Sequence, residues 1–201
     1  MTSQQSFTSA VATVGSALKQ HGFLRSGSKF TRTGREVVSL IQFQRSRDST
    51  AACVTFVVNY GVAVLSIAHA EGIDPAKLSW TDCQWQARVQ GKDGREAWWS
   101  VRDGDDPNAL AGRLTHLVEE EVLPALEQVQ HEADLVTLWT SGKSPGLGDA
   151  RRLLCLARLL HSGSTRRSRA NPSAVGGSTG EPVYAARFEK TERAGGPSAV
   201  G

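Results

Sequence analysis

The chain has 201 residues, of which 39% are hydrophobic and 21% are charged, a composition that suits one domain of ordinary size together with a segment that is not packed. The net charge of +3 is unevenly divided, because residues 1–150 carry 14 basic and 17 acidic side chains whereas residues 151–201 carry 9 basic and 3 acidic ones. The acidic balance of the first part disfavours general nucleic-acid binding there, and three cysteines without a Cys-x-x-Cys pair exclude a zinc ribbon and disfavour a disulfide framework.

The N-terminal segment predicts a helix followed by a β-hairpin. An apolar stripe at helical spacing is formed by Phe7, Val11, Val14 and Leu18. Gly22 follows the stripe and is a typical helix stop. The β-rich runs KFTRT and EVVSLIQFQRS come next and are separated by Gly34 and Arg35, which predicts two strands joined by a tight turn.

Two further strands are predicted from alternation along the chain. In ACVTFVVNYGVAV, one face is formed by Val54, Phe56, Val58, Tyr60 and Val62, and the other by Thr55, Val57 and Asn59. In CQWQARVQ, the residues Trp85, Ala87 and Val89 alternate with Gln84, Gln86, Arg88 and Gln90. Gln42 and Gln44 likewise share one face of the second strand. These patterns predict an antiparallel sheet with one packed face and one polar face.

The stretch REAWWSVRDGDDP places two tryptophans side by side and follows them with an acidic loop. WWSV predicts a short fifth strand, and because neighbouring strand residues point to opposite faces, only one of Trp98 and Trp99 is expected on the packed face. We expect Asp106 to be the N-cap of a helix that begins at Pro107, with Asp103 and Asp105 near the positive end of the same helix.

The second half of the chain predicts helices and then an unpacked tail. A helix with Leu110, Leu114, Leu117 and Val118 on one side must kink or restart at Pro124. HEADLVTLWT and DARRLLCLARLLHS predict two more helices. Residues 163–201 are rich in Gly, Ser, Pro and Arg and contain PSAVG twice, so we expect a disordered basic tail after a single domain at residues 1–162. The predicted fold class is α+β, with an antiparallel sheet of four to five strands, an N-terminal helix and C-terminal helices packed on one face.

Four features of the sequence have some of the residues of a known chemical site, but none has the full set that such a site requires. SGKS at residues 141–144 lacks the earlier glycine and the preceding strand of a phosphate-binding loop. His116, Glu119 and Glu120 share a helical face but supply too few metal ligands, and DGDDP lacks the order of a calcium loop. Cys83 is expected to be a structural cysteine. We therefore predict no catalytic residues, no metal and no cofactor.

What remains is a candidate binding surface on the polar face of the sheet. Its predicted members are Gln42, Gln44, Asn59, Gln86, Arg88, Gln90, Trp98 and Trp99. Rows of amides can form hydrogen bonds with a partner without catalysis. Solvated sheet faces are also commonly polar without any such role, and that alternative stays open.

Several spaced motifs resemble a family known as domain of unknown function 4304. They are HGFLRSGSKFTR at residues 21–32, LIQFQRS at 40–46, FVVNYGV at 56–62, Cys83 with Arg88, Trp98 with Trp99, and VLP at 122–124. The resemblance covers about residues 5–140 and implies no catalytic residues, because the family has no assigned activity.

We expect a cytoplasmic protein with no membrane contact, because the N-terminus lacks the features of a signal peptide and no apolar run is long enough to span a membrane. The preferred hypothesis is a non-enzymatic domain that binds a protein partner, as an immunity-like or regulatory protein. A first alternative is an enzyme whose site forms only in three dimensions, from Arg32, Asn59, Arg88 and a carboxylate. A second is weak nucleic-acid contact through the tail residues Arg166, Arg167 and Arg169.

Overall fold

Six strands form one antiparallel sheet, where the sequence predicts an antiparallel sheet of four to five strands. The computed structural model describes residues 1–91, 94–142 and 148–170, with side chains described as far as residue 161. The strands are β1 (Leu24–Ser26), β2 (Lys29–Thr33), β3 (Val37–Arg45), β4 (Cys53–Val64), β5 (Trp85–Arg88) and β6 (Trp99–Arg102). Their order is β1–β2–β3–β4, and β5 and β6 both pair with β4 on its far side. The strand that the sequence did not predict is β1.

The helices precede, interrupt and follow the sheet. They are α1 (Ser3–Gln20), α2 (Leu65–Ala70), α3 (Pro107–Leu117), α4 (Leu123–Glu127), α5 (Glu132–Thr140) and α6 (Asp149–Ala170). Two single 3₁₀ turns lie between α2 and β5, at Pro75–Lys77 and Trp80–Asp82. The predicted α+β class, with helices at both ends of an antiparallel sheet, is confirmed.

The main core lies between the sheet and the helices on one of its faces. The predicted stripe of α1 is buried against this face, and the Phe7 ring lies 5.0 Å from the ring of Phe56 in β4. Alternation in β4 places Phe56, Val58 and Val62 on the same face, where all three are buried. Burial of these side chains removes apolar area from water and is the main stabilising term for the sheet–helix pair.

The opposite face of the sheet is only partly open. A segment that we call the β4–β5 insertion (residues 65–84) folds over one end of this face and forms a second, smaller apolar cluster. That cluster consists of Val38, Leu40, Ala63, Ala68, Leu78 and Cys83. The end of the insertion and the start of β5 pass so close to β4 that a Cβ at Gly61 would lie 2.9 Å from the Cβ of Cys83 and 2.6 Å from the carbonyl oxygen of Trp85. The predicted polar face is therefore restricted to the other end of the sheet, which we call the open face.

The acidic loop of residues 103–106 forms hydrogen bonds with the first turns of two helices, α1 and α3. Asp106 is the N-cap of α3, and its side chain accepts a hydrogen bond from the Asn108 N–H at 2.9 Å, as predicted. Asp103 accepts a hydrogen bond from the Ser3 N–H at 2.7 Å, so it stabilises the start of α1. Asp105 accepts from the Arg102 N–H and closes the turn. The sequence could not predict the Asp103 contact, because its partner lies 100 residues away.

The helix after this loop is irregular where Pro124 lies. Between α3 and α4 the chain forms a π-helical turn at Val118–Val122, in which the Leu123 N–H reaches the Val118 carbonyl. Proline cannot donate a backbone hydrogen bond and its ring needs space in the preceding turn, so the wider turn accommodates it. The prediction that the helix kinks or restarts near Pro124 agrees with this arrangement.

The first residues of the predicted tail belong to the last helix, α6. The backbone of α6 continues to Ala170, so the predicted boundary after residue 162 lies within this helix. Arg166, Arg167 and Arg169 belong to this last part of α6, of which only the backbone is described. Residues 171–201 and residues 143–147, which include Lys143 and Ser144 of the SGKS segment, lie outside the described residues.

Candidate functional site

The centre of the open face is a row of polar residues from three strands. Gln42 of β3 pairs with Asn59 of β4, and Asn59 pairs with Arg88 of β5. Directly paired residues in neighbouring strands point to the same side of a sheet. The structure therefore brings these three predicted residues together on the face away from α1.

Hydrogen bonds connect this row into what we call the Arg88 network (Gln44, Asn59, Arg88 and Glu96). Arg88 donates from Nε to Asn59 Oδ1 at 2.7 Å, and Asn59 donates from Nδ2 to Gln44 Oε1 at 2.6 Å. Arg88 Nη1 also lies 2.6 Å from Glu96 Oε1. Asn59 is completely buried, so both ends of its amide are used inside the protein. The network fixes the guanidinium in position.

An aromatic ring adds to the support of Arg88. The guanidinium carbon lies 5.3 Å from the centre of the Trp80 ring, a distance at which a cation is attracted to the ring face. Trp80 belongs to the β4–β5 insertion, and its Nε1 donates to the Tyr60 carbonyl at 3.1 Å. The sequence did not identify Trp80 or Glu96 as members of the site, because both reach Arg88 from segments that are not paired with it in the sheet.

The two adjacent tryptophans have different environments. Trp99 pairs with Phe56 in the sheet, and their rings stack with centres 6.3 Å apart and planes inclined by 21°. Trp98 points to the open face and is 53% exposed. Trp99 is thus the tryptophan of the packed face, and Trp98 is available to a partner.

A groove lies beside Trp98, with a volume of about 380 Å³. We call it the Trp98 groove; it is lined by Gln44, Arg45, Ser46, Arg47, Asp48, Val57, Arg88 and Trp98. Three of these residues are arginines and one is an aspartate. The negative charge nearest to Arg88 is that of Glu96, with which it is paired. The charges that remain in the groove are those of Arg45, Arg47 and Asp48, which leave a small excess of positive charge beside the exposed ring. The Arg45 guanidinium also donates a hydrogen bond to Gln4 of α1.

The remaining predicted surface residues are not equivalent. Gln86 donates from Nε2 to the carbonyl oxygens of Thr81 and Cys83, at 3.2 and 2.6 Å, so it holds the β4–β5 insertion in place. Gln44 and Gln90 are exposed, and Gln42 is half-buried. The predicted surface therefore divides into exposed positions and buried or half-buried positions that support them.

A second cleft lies on the other side of Arg88, along β5. We call it the edge cleft; it measures about 640 Å³ and is lined by Tyr60, Trp80, Gln86, Ala87, Arg88, Gln90, Glu96 and Glu121. The pKa of the Tyr60 hydroxyl is raised, first by burial and then by the negative charge of Glu121. Tyr60 therefore remains a neutral hydrogen-bonding group at neutral pH.

The part of the chain that forms the candidate site also matches a known protein family. The family model described as Domain of unknown function (DUF4304) matches residues 14–128. The chain belongs to this family. The matched DUF4304 segment contains the whole Arg88 network, both tryptophans and Glu121, whereas α5 and α6 lie beyond it. Neither a curated protein nor a solved structure matches the chain significantly.

Two of the three cysteines of this DUF4304 chain, Cys83 and Cys155, are poorly suited to nucleophilic chemistry. Cys83 is fully buried, and its pKa is raised well above the usual thiol range by burial and then by Asp82, although Lys29 acts in the opposite direction. The reactive form of cysteine is the thiolate, so Cys83 is an unreactive core residue. Burial likewise raises the pKa of the Cys155 thiol.

The described part of the chain contains neither a cluster of metal ligands nor a helix suited to a membrane. Among residues 1–91, 94–142 and 148–170, no group of three or more His, Cys, Asp or Glu side chains is close enough to hold a metal ion. In the same part of the chain, no helix combines the length and the apolar character that crossing a bilayer requires.

Proposed function

We propose that this DUF4304 chain is a non-enzymatic, cytoplasmic binding domain that recognises another protein through the Trp98 groove, in an immunity-like or regulatory role. The observation that carries the proposal is the exposure of Trp98 beside an arginine held in place by its neighbours. Tryptophan and arginine are the residue types most enriched among energetically dominant interface positions.

The charge and the geometry of the groove support an acidic partner surface. Arg45 and Arg47 line the groove together with Trp98, and Asp48 supplies one opposing charge. The Arg45 guanidinium is also hydrogen-bonded to Gln4 of α1, so of these two described arginines Arg47 is the cation without such a contact to α1. Because Arg88 is already fixed, it loses little conformational freedom when a partner binds. An acidic patch with an apolar side chain at its centre would match both the positive charge and the indole ring.

The Arg88 network supports binding rather than catalysis. Asn59 uses both ends of its amide within the network, and Arg88 is paired with Glu96, so these groups hold one another rather than a reacting atom. Arg32, which the enzyme alternative also required, lies elsewhere, with its guanidinium 5.0 Å from the ring of Phe23.

The proposal is tested by comparing two exposed apolar positions. Trp98 is 53% exposed on the open face, whereas Leu24 is 75% exposed on β1, at the other edge of the sheet. Candidate partners are proteins of the native host that immobilised wild type retains and that a blank support does not retain. Each is then purified for calorimetry. Burial of the exposed part of an indole ring contributes about 2–3 kcal/mol, so Trp98→Ala should weaken binding by about thirtyfold or more.

The acidic character of the partner is tested separately. Arg47→Gln should slow association at low salt more than at high salt, because an exposed charge acts mainly on the encounter rate. Unchanged affinity in Trp98→Ala, an equal loss in Leu24→Ala, or failure to recover any partner would contradict the proposal.

A further inference from the structure

The outer edge of the sheet at β5 has no strand paired to it within the described residues. β5 pairs with β4 on one side and ends the strand order there. The Val89 N–H is donated to the Val58 carbonyl, so by alternation the backbone N–H and C=O groups of Arg88 and Gln86 point away from β4. Such a row of outward backbone groups is able to pair with another extended chain.

The edge cleft follows this free edge. Its lining combines Ala87 and Tyr60 from the helix-covered face with Arg88 and Trp80 from the other face, so the cleft curves around the edge of the strand. Natural sheets often protect an edge with charges, bulges or a covering segment. Here the edge instead forms the floor of a concave space of about 640 Å³.

The two walls of the edge cleft differ in chemistry. On one side lies the Trp80 ring, with the paired charges of Arg88 and Glu96. On the other side lies Glu121 near the hydroxyl of Tyr60. Glu121 belongs to the π-helical turn, and it has no salt bridge within the part of the chain that the structure describes. Because Arg88 and Glu96 offset each other, the uncompensated charge of the cleft is the negative charge of Glu121.

We propose that the free edge of β5 binds an extended segment of a partner protein by β-strand addition, with a lysine or arginine of that segment facing Glu121. Successive side chains of the added strand point to opposite sides. One side chain therefore faces Glu121 and Tyr60, and the next one packs on Trp80. This mode of recognition obtains affinity from main-chain hydrogen bonds and selectivity from alternate side chains. The site lies on the other side of Arg88 from the Trp98 groove and does not depend on it.

The experiment uses three blocked hexapeptides and the whole protein. The first alternates valine and lysine, the second alternates valine and glutamate, and the third is the lysine peptide with N-methylated backbone amides. Binding is followed by NMR titration of the backbone amides. The lysine peptide should shift the amide signals of Gln86 and Arg88, whereas the glutamate and N-methylated peptides should bind at least tenfold more weakly.

Three consecutive glutamates provide a matched control. Glu120 and Glu121 are both exposed residues of the π-helical turn, but only Glu121 lines the edge cleft. Glu121→Gln should weaken the lysine peptide about threefold to fivefold, as loss of an exposed ion pair does, and Glu120→Gln should leave it unchanged. Equal binding of the lysine and glutamate peptides, or of the N-methylated peptide, would overturn the proposal. So would sedimentation showing that a second copy of the chain occupies the edge and excludes the peptide.

Discussion

Replacement of Gly61 by alanine should destabilise the protein, although alanine adds only one methyl group. Gly61 lies in β4 where the β4–β5 insertion crosses the strand. A Cβ at this position would lie 2.6 Å from the carbonyl oxygen of Trp85 and 2.9 Å from the Cβ of Cys83. The nearest atom belongs to the backbone, which cannot rotate away as a flexible side chain would. Either β5 or the insertion must therefore move.

The expected magnitude follows from two opposing effects. Overpacking of a well-packed site typically costs about 1–3 kcal/mol. Replacing glycine also restricts the unfolded chain, which stabilises the folded state by about 0.4–1 kcal/mol. The net loss should therefore be about 1–2 kcal/mol, and with a urea dependence of about 2 kcal/mol per molar the midpoint should fall by about 0.5–1 M.

Urea unfolding followed by tryptophan fluorescence measures this difference, and Gly112→Ala is the control. Gly112 lies in α3, and a Cβ there would meet nothing within 4 Å. Its replacement should raise the midpoint, because alanine has the higher helix propensity. If Gly61→Ala were as stable as wild type while Gly112→Ala behaved as expected, the close approach of Trp85 and Cys83 to β4 would be wrong.

Three further predictions concern the Arg88 network, the buried thiol and the acidic loop. Asn59→Ala removes two hydrogen bonds, one of them to a charged group, and should lower the free energy of unfolding by about 2–4 kcal/mol. Gln44→Ala, at an exposed position, should cost about 1 kcal/mol or less. Thermal unfolding of both variants measures the difference. Iodoacetamide should modify the half-buried Cys53 in the folded protein but should reach Cys83 only after denaturation, because Cys83 is buried and burial raises the pKa of its thiol. Mass spectrometry measures the modification, and modified Cys83 in the native state would refute this prediction. Asp103→Ala should cost about 0.5–2 kcal/mol, because it removes the acceptor for the Ser3 N–H in the first turn of α1, whose N-cap is Thr2. Asp103→Asn retains an acceptor and should cost less; equal losses in urea unfolding would argue against this role.

The main layers of the fold were predictable because they rest on periodicity. Alternation in β4 correctly places Phe56 and Val58 toward the helices, and helical spacing correctly identifies the buried stripe of α1. The strand β1 was missed because its three residues are all exposed and carry no apolar alternation. Two to three residues provide too little pattern for a strand to be recognised without its partner.

The candidate site was predictable only in part. Strand alternation placed Asn59 and Arg88 on one face, since that depends on local spacing alone. It could not show that Asn59 is completely buried, or that Trp80 and Glu96 would support Arg88, because those contacts depend on where the insertion folds. Glu121 was missed for a different reason: a π-helical turn changes the angular position of the residues in it, so helical spacing no longer indicates which way they point.

The loop of residues 103–106 also couples the local unfolding of α1 to that of α3. It binds the first turn of α1 through Asp103 and through the Asp105 carbonyl, which accepts a hydrogen bond from the Ser6 hydroxyl, and it begins α3 through Asp106. The two helices therefore share one anchor, and separating either of them from the sheet disturbs the other. In hydrogen exchange, the amides of α1 and α3 should become exposed together as a single cooperative unit, with a common opening free energy, although about a hundred residues separate them along the chain.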